Sequence, residues 1–267
     1  KEIVVERLEK YDFSKAEITI FAAGSEIAKN WAPKAAKKTI VIDNSKYFRM
    51  DQDVPLVVAE VNPNALRTHK NIIANPNCST IQLMLPLKPL HEKYKIKRVV
   101  VSTYQAVSGA GKASVDELFD QTKDYLEGKK IESKNYKKQI AYNLKPQIDI
   151  FSEDGYTKEE WKMENETKKI LDKKIGLTAT CVRVPVKTSH SESANIEFEN
   201  EYDLETVRDI LRKAPGCKVV DENKDGGYIS PLEAEGDYLT FISRIRKDHS
   251  NKKALNMWIV SDNLLKG

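Results

Sequence analysis

The chain has 267 residues, 40% of them hydrophobic and 31% charged, a balance typical of globular domains. Its 44 basic and 40 acidic residues give a formal net charge of +4, which is too small to indicate nucleic-acid binding. No apolar run approaches the ~20 residues that span a bilayer, and the three cysteines lack disulfide-framework or zinc spacing. We therefore expect one large or two ordinary domains, free thiols, and neither a membrane nor a nucleic-acid partner.

The first third of the chain alternates predicted strands with predicted helices. Residues 16–23, 39–43 and 56–61 are predicted as strands, and residues 26–38 as a helix that Pro33 limits. Strands that alternate with helices favour a parallel, doubly wound α/β sheet of the Rossmann type.

The rest of the chain changes character at about residue 147. Before that point we predict a helix after residue 78, bent or interrupted by two prolines. A strand over 98–103 and a helix over 113–129 follow it. Beyond it, the pattern predicts strands over 148–151, 178–184, 194–198 and 238–245, and helices over 158–171 and 203–212. The alternating faces of the later strands favour a mainly antiparallel sheet with one side exposed.

Cys78 lies where a strand-like stretch turns into a predicted helix, in the run Asn75-Pro76-Asn77-Cys78-Ser79-Thr80. Unpaired backbone N–H groups and the helix dipole favour an anion there, and the thiolate is the nucleophilic form of cysteine. The alternative interpretation is a small buried residue that packs like alanine. The local sequence leaves both interpretations of Cys78 open.

Two further segments carry chemistry-bearing side chains. Residues 183–193 place Arg183 on a strand and His190 seven residues later, beyond a proline. A lone histidine is more often structural, but a distant nucleophilic cysteine needs a proton partner. Residues 102–111 run from a strand into a Gly/Ser-rich loop, which is either an ordinary turn or a place where backbone approaches a ligand. Its Gly109-x-Gly111 lacks the third glycine of a dinucleotide fingerprint.

In order and spacing, these segments resemble the aspartate-semialdehyde dehydrogenase family. The resemblance covers nearly the whole chain, in residues 48–51, 54–58, 75–80, 102–111, 159–163, 166–170, 183–193 and 258–267. It implies an incomplete Rossmann-like dinucleotide-binding domain over 1–77 plus 247–267. It also implies a mainly antiparallel catalytic and dimerisation domain over 78–246.

The resemblance implies a cytoplasmic enzyme with NADP as cofactor, acting as a homodimer or a tetramer. Its reaction would convert aspartate β-semialdehyde and phosphate reversibly to aspartyl β-phosphate, a step that feeds lysine, methionine and threonine synthesis. Such a reaction needs a soft nucleophile, a proton shuttle, and opposite charges for the two ends of a zwitterionic substrate.

Residue roles follow from the same resemblance, residue by residue. Cys78 would form the thioacyl intermediate, and His190 would act as acid and base. Gln105 would orient the substrate, and Asn77 would contribute to the oxyanion environment. The remaining implied residues are Arg183 for the substrate carboxylate, Glu159 for its ammonium, Arg49 and Lys162 for phosphate, and Ser108, Gly109 and Asn263 for the cofactor.

The chain departs from the family pattern at both ends. Its first residues resemble a point well inside the family's first domain, so we expect a βαβ unit of roughly thirty residues or more to be absent. The final helix of the family is likewise not represented. We expect the 267 residues alone to bind NADP weakly and to turn over slowly.

Three alternatives stay open on the sequence. One is an N-acetyl-glutamyl-phosphate reductase type, although an acetylated substrate would not need Glu159. Another is an inactive fragment that serves as a dimerisation domain. A Cys-His hydrolase is the third, but no orienting Asp or Asn is evident for it.

Overall fold

The computed structural model describes residues 4–267 and divides into two compact units, which end and begin at Pro76 and Asn77. The first unit holds a three-stranded parallel sheet in the order β1-β2-β3, formed by β1 (Ile18–Phe21), β2 (Ile40–Asp43) and β3 (Ile72–Ala74). Helix α1 (Ser25–Ala35) connects β1 to β2 and begins after Gly24, whose φ of 91° favours glycine. This unit confirms the predicted parallel α/β arrangement.

The predicted strand over 56–61 is wrong beyond its first residue. Leu56 forms only an isolated bridge with Ala74. The side chain of Asn62 then accepts the N–H of Val58 at 2.8 Å and donates to the carbonyl of Leu56 at 2.9 Å. That side chain occupies the groups a strand ladder would need, so the segment turns although it is apolar.

The second unit is built on a six-stranded mixed sheet in the order β5-β4-β6-β9-β8-β7. Two outer pairs, β5 with β4 and β7 with β8, are parallel, and the three inner pairs are antiparallel. The strands are β4 (Ile96–Gln105), β5 (Gly176–Arg183), β6 (His190–Phe198), β7 (Cys217–Val219), β8 (Thr240–Lys247) and β9 (Ala254–Ser261).

Five helices accompany this sheet: α2 (Cys78–Tyr94), α3 (Lys112–Leu126), α4 (Lys158–Ile170), α5 (Leu204–Lys213) and α6 (Pro231–Ala234). Helix α2 contacts β4, β6, β8 and β9 and is buried along most of its length. It is one uninterrupted helix through Pro86 and Pro89, where the sequence predicted a bend or a break. Residues 83–87 are all nearly inaccessible, and their packing offsets the hydrogen bonds that proline removes. The predicted N-cap Asp203 is confirmed, because it accepts the N–H of Thr206 at 2.8 Å.

Two other predictions need correction. Residues 247–267 belong to the second unit and not to the first, because β9 pairs with both β6 and β8 near the centre of the large sheet. The predicted strand over 148–151 is absent, because Asp149 has a φ of 68° and interrupts the extended backbone. Among the described residues, no helix is both long and apolar enough to cross a bilayer. The cytoplasmic location stays a prediction.

Candidate active site

Cys78 is the first residue of the buried helix α2, and Asn77 is its N-cap. The side-chain Oδ1 of Asn77 accepts the N–H groups of Ser79 at 3.0 Å and Thr80 at 3.3 Å. The backbone N–H of Asn77 donates to Glu166 on α4 at 2.7 Å. The cysteine therefore lies at a helix N-terminus whose position is fixed on both sides, and the helix dipole there favours a thiolate.

A second set of contacts surrounds the carboxylate of Glu159 on α4, which is 5% exposed. Its Oε1 accepts the Nδ2 group of Asn77 at 2.8 Å and the Nε2 group of Gln105 at 3.1 Å. Its Oε2 accepts Lys162 at 2.8 Å, and Lys162 also reaches Asp149 at 3.1 Å. The capping residue of α2, the end of β4 and helix α4 therefore meet at one buried carboxylate.

Charge pairing keeps Glu159 and Lys162 ionised. Burial by itself would raise the pKa of Glu159, but the Lys162 charge and the hydrogen bonds from Lys162, Asn77 and Gln105 bring it below its usual value. Burial would lower the pKa of Lys162, and the charge of Glu159 with its hydrogen bonds raises it instead. The site thus holds a buried anion at neutral pH.

Arg183 and His190 lie at the same end of the sheet as Gln105. Arg183 ends β5 directly opposite Gln105 on β4, and His190 begins β6. The guanidinium of Arg183 donates to the carbonyl of Ala106 at 2.7 Å, and the N–H of Ala106 donates to Nδ1 of His190 at 3.0 Å. One backbone residue therefore orients both side chains.

His190 is completely buried, and its Nε2 has no hydrogen-bond partner among residues 4–267. Burial, followed by the neighbouring Arg183 charge, lowers the pKa of His190 to about 3, although Glu159 partly opposes this. The predicted acid/base role of His190 stays a prediction. The contact with Ala106 already limits it, because only one ring nitrogen is available to a ligand.

The cofactor residues predicted from sequence lie beside His190, and Gly109 packs closely against that ring and Arg183. A Cβ atom at Gly109 would lie 3.0 Å from Cε1 and Nε2 of His190 and 3.1 Å from Nη1 of Arg183. Asn263 accepts the N–H of Ser189 at 2.9 Å and exchanges hydrogen bonds with the hydroxyl of Ser108. This backbone-lined, polar surface beside His190 fits the amide-bearing end of a nicotinamide cofactor.

Arg49 lies in the first unit. Its guanidinium is buried and donates to the carbonyls of Ser45 at 3.1 Å and Asn44 at 3.3 Å. The structure thus brings together the predicted residues of the second unit, and the phosphate role of Arg49 stays a prediction.

Cys181 is not part of this chemistry. It lies inside β5, where burial raises the pKa of its thiol strongly and the Glu159 charge adds to the effect. Its N–H donates to Glu160 at 3.0 Å, and its Sγ contacts the sulfur of Met163 at 3.7 Å. A buried thiol of this kind is inert.

Sequence reasoning missed two residues of the site. Glu166 holds the backbone of Asn77, but it is one of several glutamates along α4 and nothing in its spacing separates it from the others. Gly267 lies so close to Cys78 that a side chain there would overlap it. Gly267 ends the run 258–267, which indicated the family resemblance but no role for the glycine itself.

Two family models divide the chain as its two units do. The model described as semialdehyde dehydrogenase, NAD binding domain, matches residues 1–69, and the one described as semialdehyde dehydrogenase, dimerisation domain, matches residues 87–266. The aspartate-semialdehyde dehydrogenase of Aquifex aeolicus is 51% identical over 273 residues, covering 100% of this chain and 80% of that protein. The chain belongs to the aspartate-semialdehyde dehydrogenase family.

Other members of the family are also similar to this chain over nearly its whole length. The aspartate-semialdehyde dehydrogenase of Bacillus subtilis is 46% identical over 279 residues, again covering 100% of this chain and 80% of that protein. The crystal structure of aspartate semialdehyde dehydrogenase II complexed with ASA from Vibrio cholerae matches with a TM-score of 0.95 at 44% identity. It covers 98% of this chain and 79% of that one. The enzyme of Candida albicans solved with NADP matches with a TM-score of 0.75 at 26% identity, over 99% and 78% of the two chains.

These findings confirm the family and the fold class predicted from sequence. The chain is an oxidoreductase of this family with an NAD(P)-binding domain and a dimerisation domain.

Proposed function

We propose that the chain catalyses the NADP-dependent, phosphorylating oxidation of aspartate β-semialdehyde, with Cys78 as the nucleophile. The observation that carries this proposal is the arrangement around Gln105. That residue donates to the buried Glu159 carboxylate and is paired across the sheet with the buried Arg183, whose guanidinium donates to the carbonyl of Ala106. A buried anion and a buried cation at neighbouring positions suit a small zwitterion that carries an ammonium and a carboxylate.

Each end of the substrate has a partner of opposite charge. The Arg183 guanidinium would bind the α-carboxylate through two parallel hydrogen bonds. The Glu159 carboxylate, kept ionised by Lys162, would bind the ammonium. An N-acetylated substrate has no ammonium, so the buried charge of Glu159 argues against the reductase alternative. Gln105 would hold the aldehyde between these two charges.

The reaction would proceed through a covalent intermediate. The Cys78 thiolate would add to the aldehyde carbon, and oxidation of the adduct would leave a thioester on Cys78. Phosphate would then displace the thiolate and give aspartyl β-phosphate. Lys162 has three N–H donors, of which two contact Glu159 and Asp149, so a third is available to an incoming phosphate. Arg49 is the second proposed phosphate ligand.

Ser108, Gly109 and Asn263 would hold the nicotinamide portion of NADP, since they form a polar surface beside His190. The bound cofactor supplies the hydride acceptor. The residues of this chain would bind and orient the substrate, and they would hold His190 beside the cofactor. Assembly as a tetramer rather than a dimer stays a prediction.

A substrate panel tests the proposal. The full chain at saturating NADP and phosphate is expected to reduce NADP with aspartate β-semialdehyde and not with N-acetyl-glutamate semialdehyde. The Cys78→Ser variant is expected to lose activity by roughly a thousandfold or more. Activity on the acetylated aldehyde alone, or an undiminished Cys78→Ser rate, would refute the proposal.

A further inference from the structure

The side-chain amide of Gln105 is held at both of its polar atoms. Its Nε2 donates to Oε1 of Glu159 at 3.1 Å, and its Oε1 accepts the hydroxyl of Thr103 at 3.0 Å. Thr103 is 0% exposed and Gln105 is 1% exposed, so bulk water reaches neither side chain. Within residues 4–267, no other group donates to this amide oxygen. One anion and one hydroxyl therefore fix the plane of the amide.

The charge of Glu159 decides which atom of the amide faces which partner. Lys162 keeps this carboxylate ionised, and an ionised carboxylate only accepts hydrogen bonds. If the amide were turned over, the oxygen of Gln105 would lie against a carboxylate oxygen with no proton between them. Buried acceptors without a donor are costly. The amide oxygen therefore faces Thr103, and the Thr103 hydroxyl has to supply the proton.

No charged neighbour competes for the proton of Thr103. On β4 this residue is paired with Cys181 on β5 and with Glu192 on β6. Burial raises the pKa of the Cys181 thiol, and it raises the pKa of Glu192 well above the usual value. Both groups are uncharged at neutral pH, so neither is the kind of anion that accepts a hydroxyl proton most strongly. Thr103 is also β-branched, which restricts its χ1 angle and keeps the hydroxyl in place.

We propose that Thr103 is a positioning residue for the reaction, acting through the amide of Gln105 and touching no substrate itself. This inference rests on the proposed function, in which Gln105 holds the aldehyde. The amide nitrogen carries two N–H groups, and Glu159 accepts one of them. The other is the donor left for the substrate. Because Thr103 holds the amide oxygen, that N–H group keeps one direction.

Binding of the substrate makes the contact with Thr103 more important. The substrate ammonium would share the oxygens of Glu159 with Gln105, which weakens the hold of the carboxylate on the amide. Thr103 is not a substrate ligand, so its contact with Gln105 is unchanged in the bound complex. A displacement of about 1 Å in an orienting group can cost roughly 10²-fold in rate.

Two substitutions of Thr103 test the role of its hydroxyl. Thr103→Val keeps the shape and removes the hydroxyl, whereas Thr103→Ser keeps the hydroxyl and removes a methyl group. We expect Thr103→Val to lower kcat by roughly 10–100-fold, with little change in KM for phosphate, and Thr103→Ser to retain roughly a third or more of the wild-type kcat. If Thr103→Val kept the wild-type kcat, or Thr103→Ser fell as far as Thr103→Val, the inference would be overturned.

The matched control is the same substitution on the neighbouring strand. Thr178 lies on β5, and its hydroxyl contacts the hydroxyl of Tyr156 at 3.2 Å. Thr178→Val therefore also removes a hydroxyl and its hydrogen bond from the large sheet, and its kcat is expected to match the wild type. Circular dichroism confirms that each variant is folded before its kinetics are measured.

A double-mutant cycle separates positioning from packing. Gln105→Met keeps the length of the side chain and removes the amide. If Thr103 acts through this amide, Thr103→Val changes kcat/KM of the Gln105→Met protein by no more than about twofold, although it lowers that of the wild type. If Thr103 only packs in the sheet, Thr103→Val lowers both proteins by the same factor, and the inference is overturned.

NMR of the Gln105 side-chain amide tests the geometry without turnover. Its signal is identified by its absence in Gln105→Met. In the wild type and in Thr103→Ser we expect two amide protons that exchange slowly with water, and in Thr103→Val we expect faster exchange. Unchanged exchange in Thr103→Val would overturn the inference. Absent wild-type turnover of aspartate β-semialdehyde would instead refute the proposed function, and the NMR comparison would still show whether Thr103 holds the amide.

Discussion

The charge of Glu159 is the feature by which the site would distinguish the proposed substrate from its acetylated relatives. Three donors, on Asn77, Gln105 and Lys162, hold this carboxylate in place. Glu159→Gln preserves its shape and removes its charge. We expect KM for aspartate β-semialdehyde to rise by roughly tenfold or more, because the ammonium loses its counter-charge. Equal KM values in steady-state kinetics would contradict this role.

A control is available on the same helix. Glu164 forms a partly exposed i,i+4 pair with Lys168, and its hydrogen bond is to that lysine rather than to a side chain of the site. Glu164→Gln removes the same charge from α4, and its KM is expected to match the wild type.

Candidate site residues could be proposed from sequence, because Cys78, Gln105, Arg183 and His190 lie in runs whose order matches a family. What those runs could not show is how each residue is held. The orientation of the His190 ring depends on the backbone N–H of Ala106, which is 84 positions away along the chain. Local patterns contain no trace of such a contact, and the same holds for Glu166 beneath Asn77.

At the scale of elements, the N-terminus of α2 joins stability to reactivity. Asn77 satisfies two N–H groups of the helix and contacts Glu159. Asn77→Ala is expected to lower the free energy of unfolding by about 1–2 kcal/mol and also to lower kcat, because Cys78 loses its anchor. Urea unfolding and steady-state kinetics measure the two effects.

The matched control for this variant is Asp203→Ala. Asp203 caps α5 through the N–H of Thr206 at an exposed position of the same unit. It is expected to cost about 0.5–2 kcal/mol with no change in kcat. If both variants reduced kcat in proportion to their loss of stability, the link between the α2 cap and the nucleophile would be refuted.

The elements themselves were predicted where hydrophobic periodicity decides them, as in β4, β5, α3 and α4. The errors have local physical causes. The turn after Leu56 depends on the side chain of Asn62, and helix α2 continues through two prolines because it is buried against the sheet. The place of β9 in the large sheet depends on long-range strand pairing, which composition does not indicate.

At the scale of the whole molecule, one buried acid links folding to pH. Glu192 lies on β6 two residues from His190 and is 0% exposed. Burial raises its pKa well above the usual value, and the amide of Gln82 on α2 only partly opposes this. The native chain thus keeps a proton that the unfolded chain releases above about pH 4.3.

Above about pH 4.3 the native state binds more protons at Glu192 than the unfolded state does, so rising pH destabilises the fold. Relative to Glu192→Gln, the wild type is expected to lose about 1.4 kcal/mol per pH unit until the native pKa is reached. His190 has the opposite effect on the pH dependence of stability below about pH 6.5. Both proteins contain His190, so its contribution to the difference between them cancels. If urea unfolding showed that the stabilities of the two proteins change equally between pH 5 and 8, the burial of a neutral Glu192 would be contradicted.

Mass spectrometry of thiol alkylation tests whether Cys78 forms a covalent adduct with aspartate β-semialdehyde, without any need for cofactor. Iodoacetamide at pH 7 is expected to label Cys78 faster than the half-buried Cys217, with Cys181 unlabelled. Adding aspartate β-semialdehyde is expected to protect Cys78 alone, while N-acetyl-glutamate semialdehyde gives no protection. If Cys78 reacts no faster than Cys217, or is labelled at the same rate with and without aspartate β-semialdehyde, Cys78 is not the nucleophile.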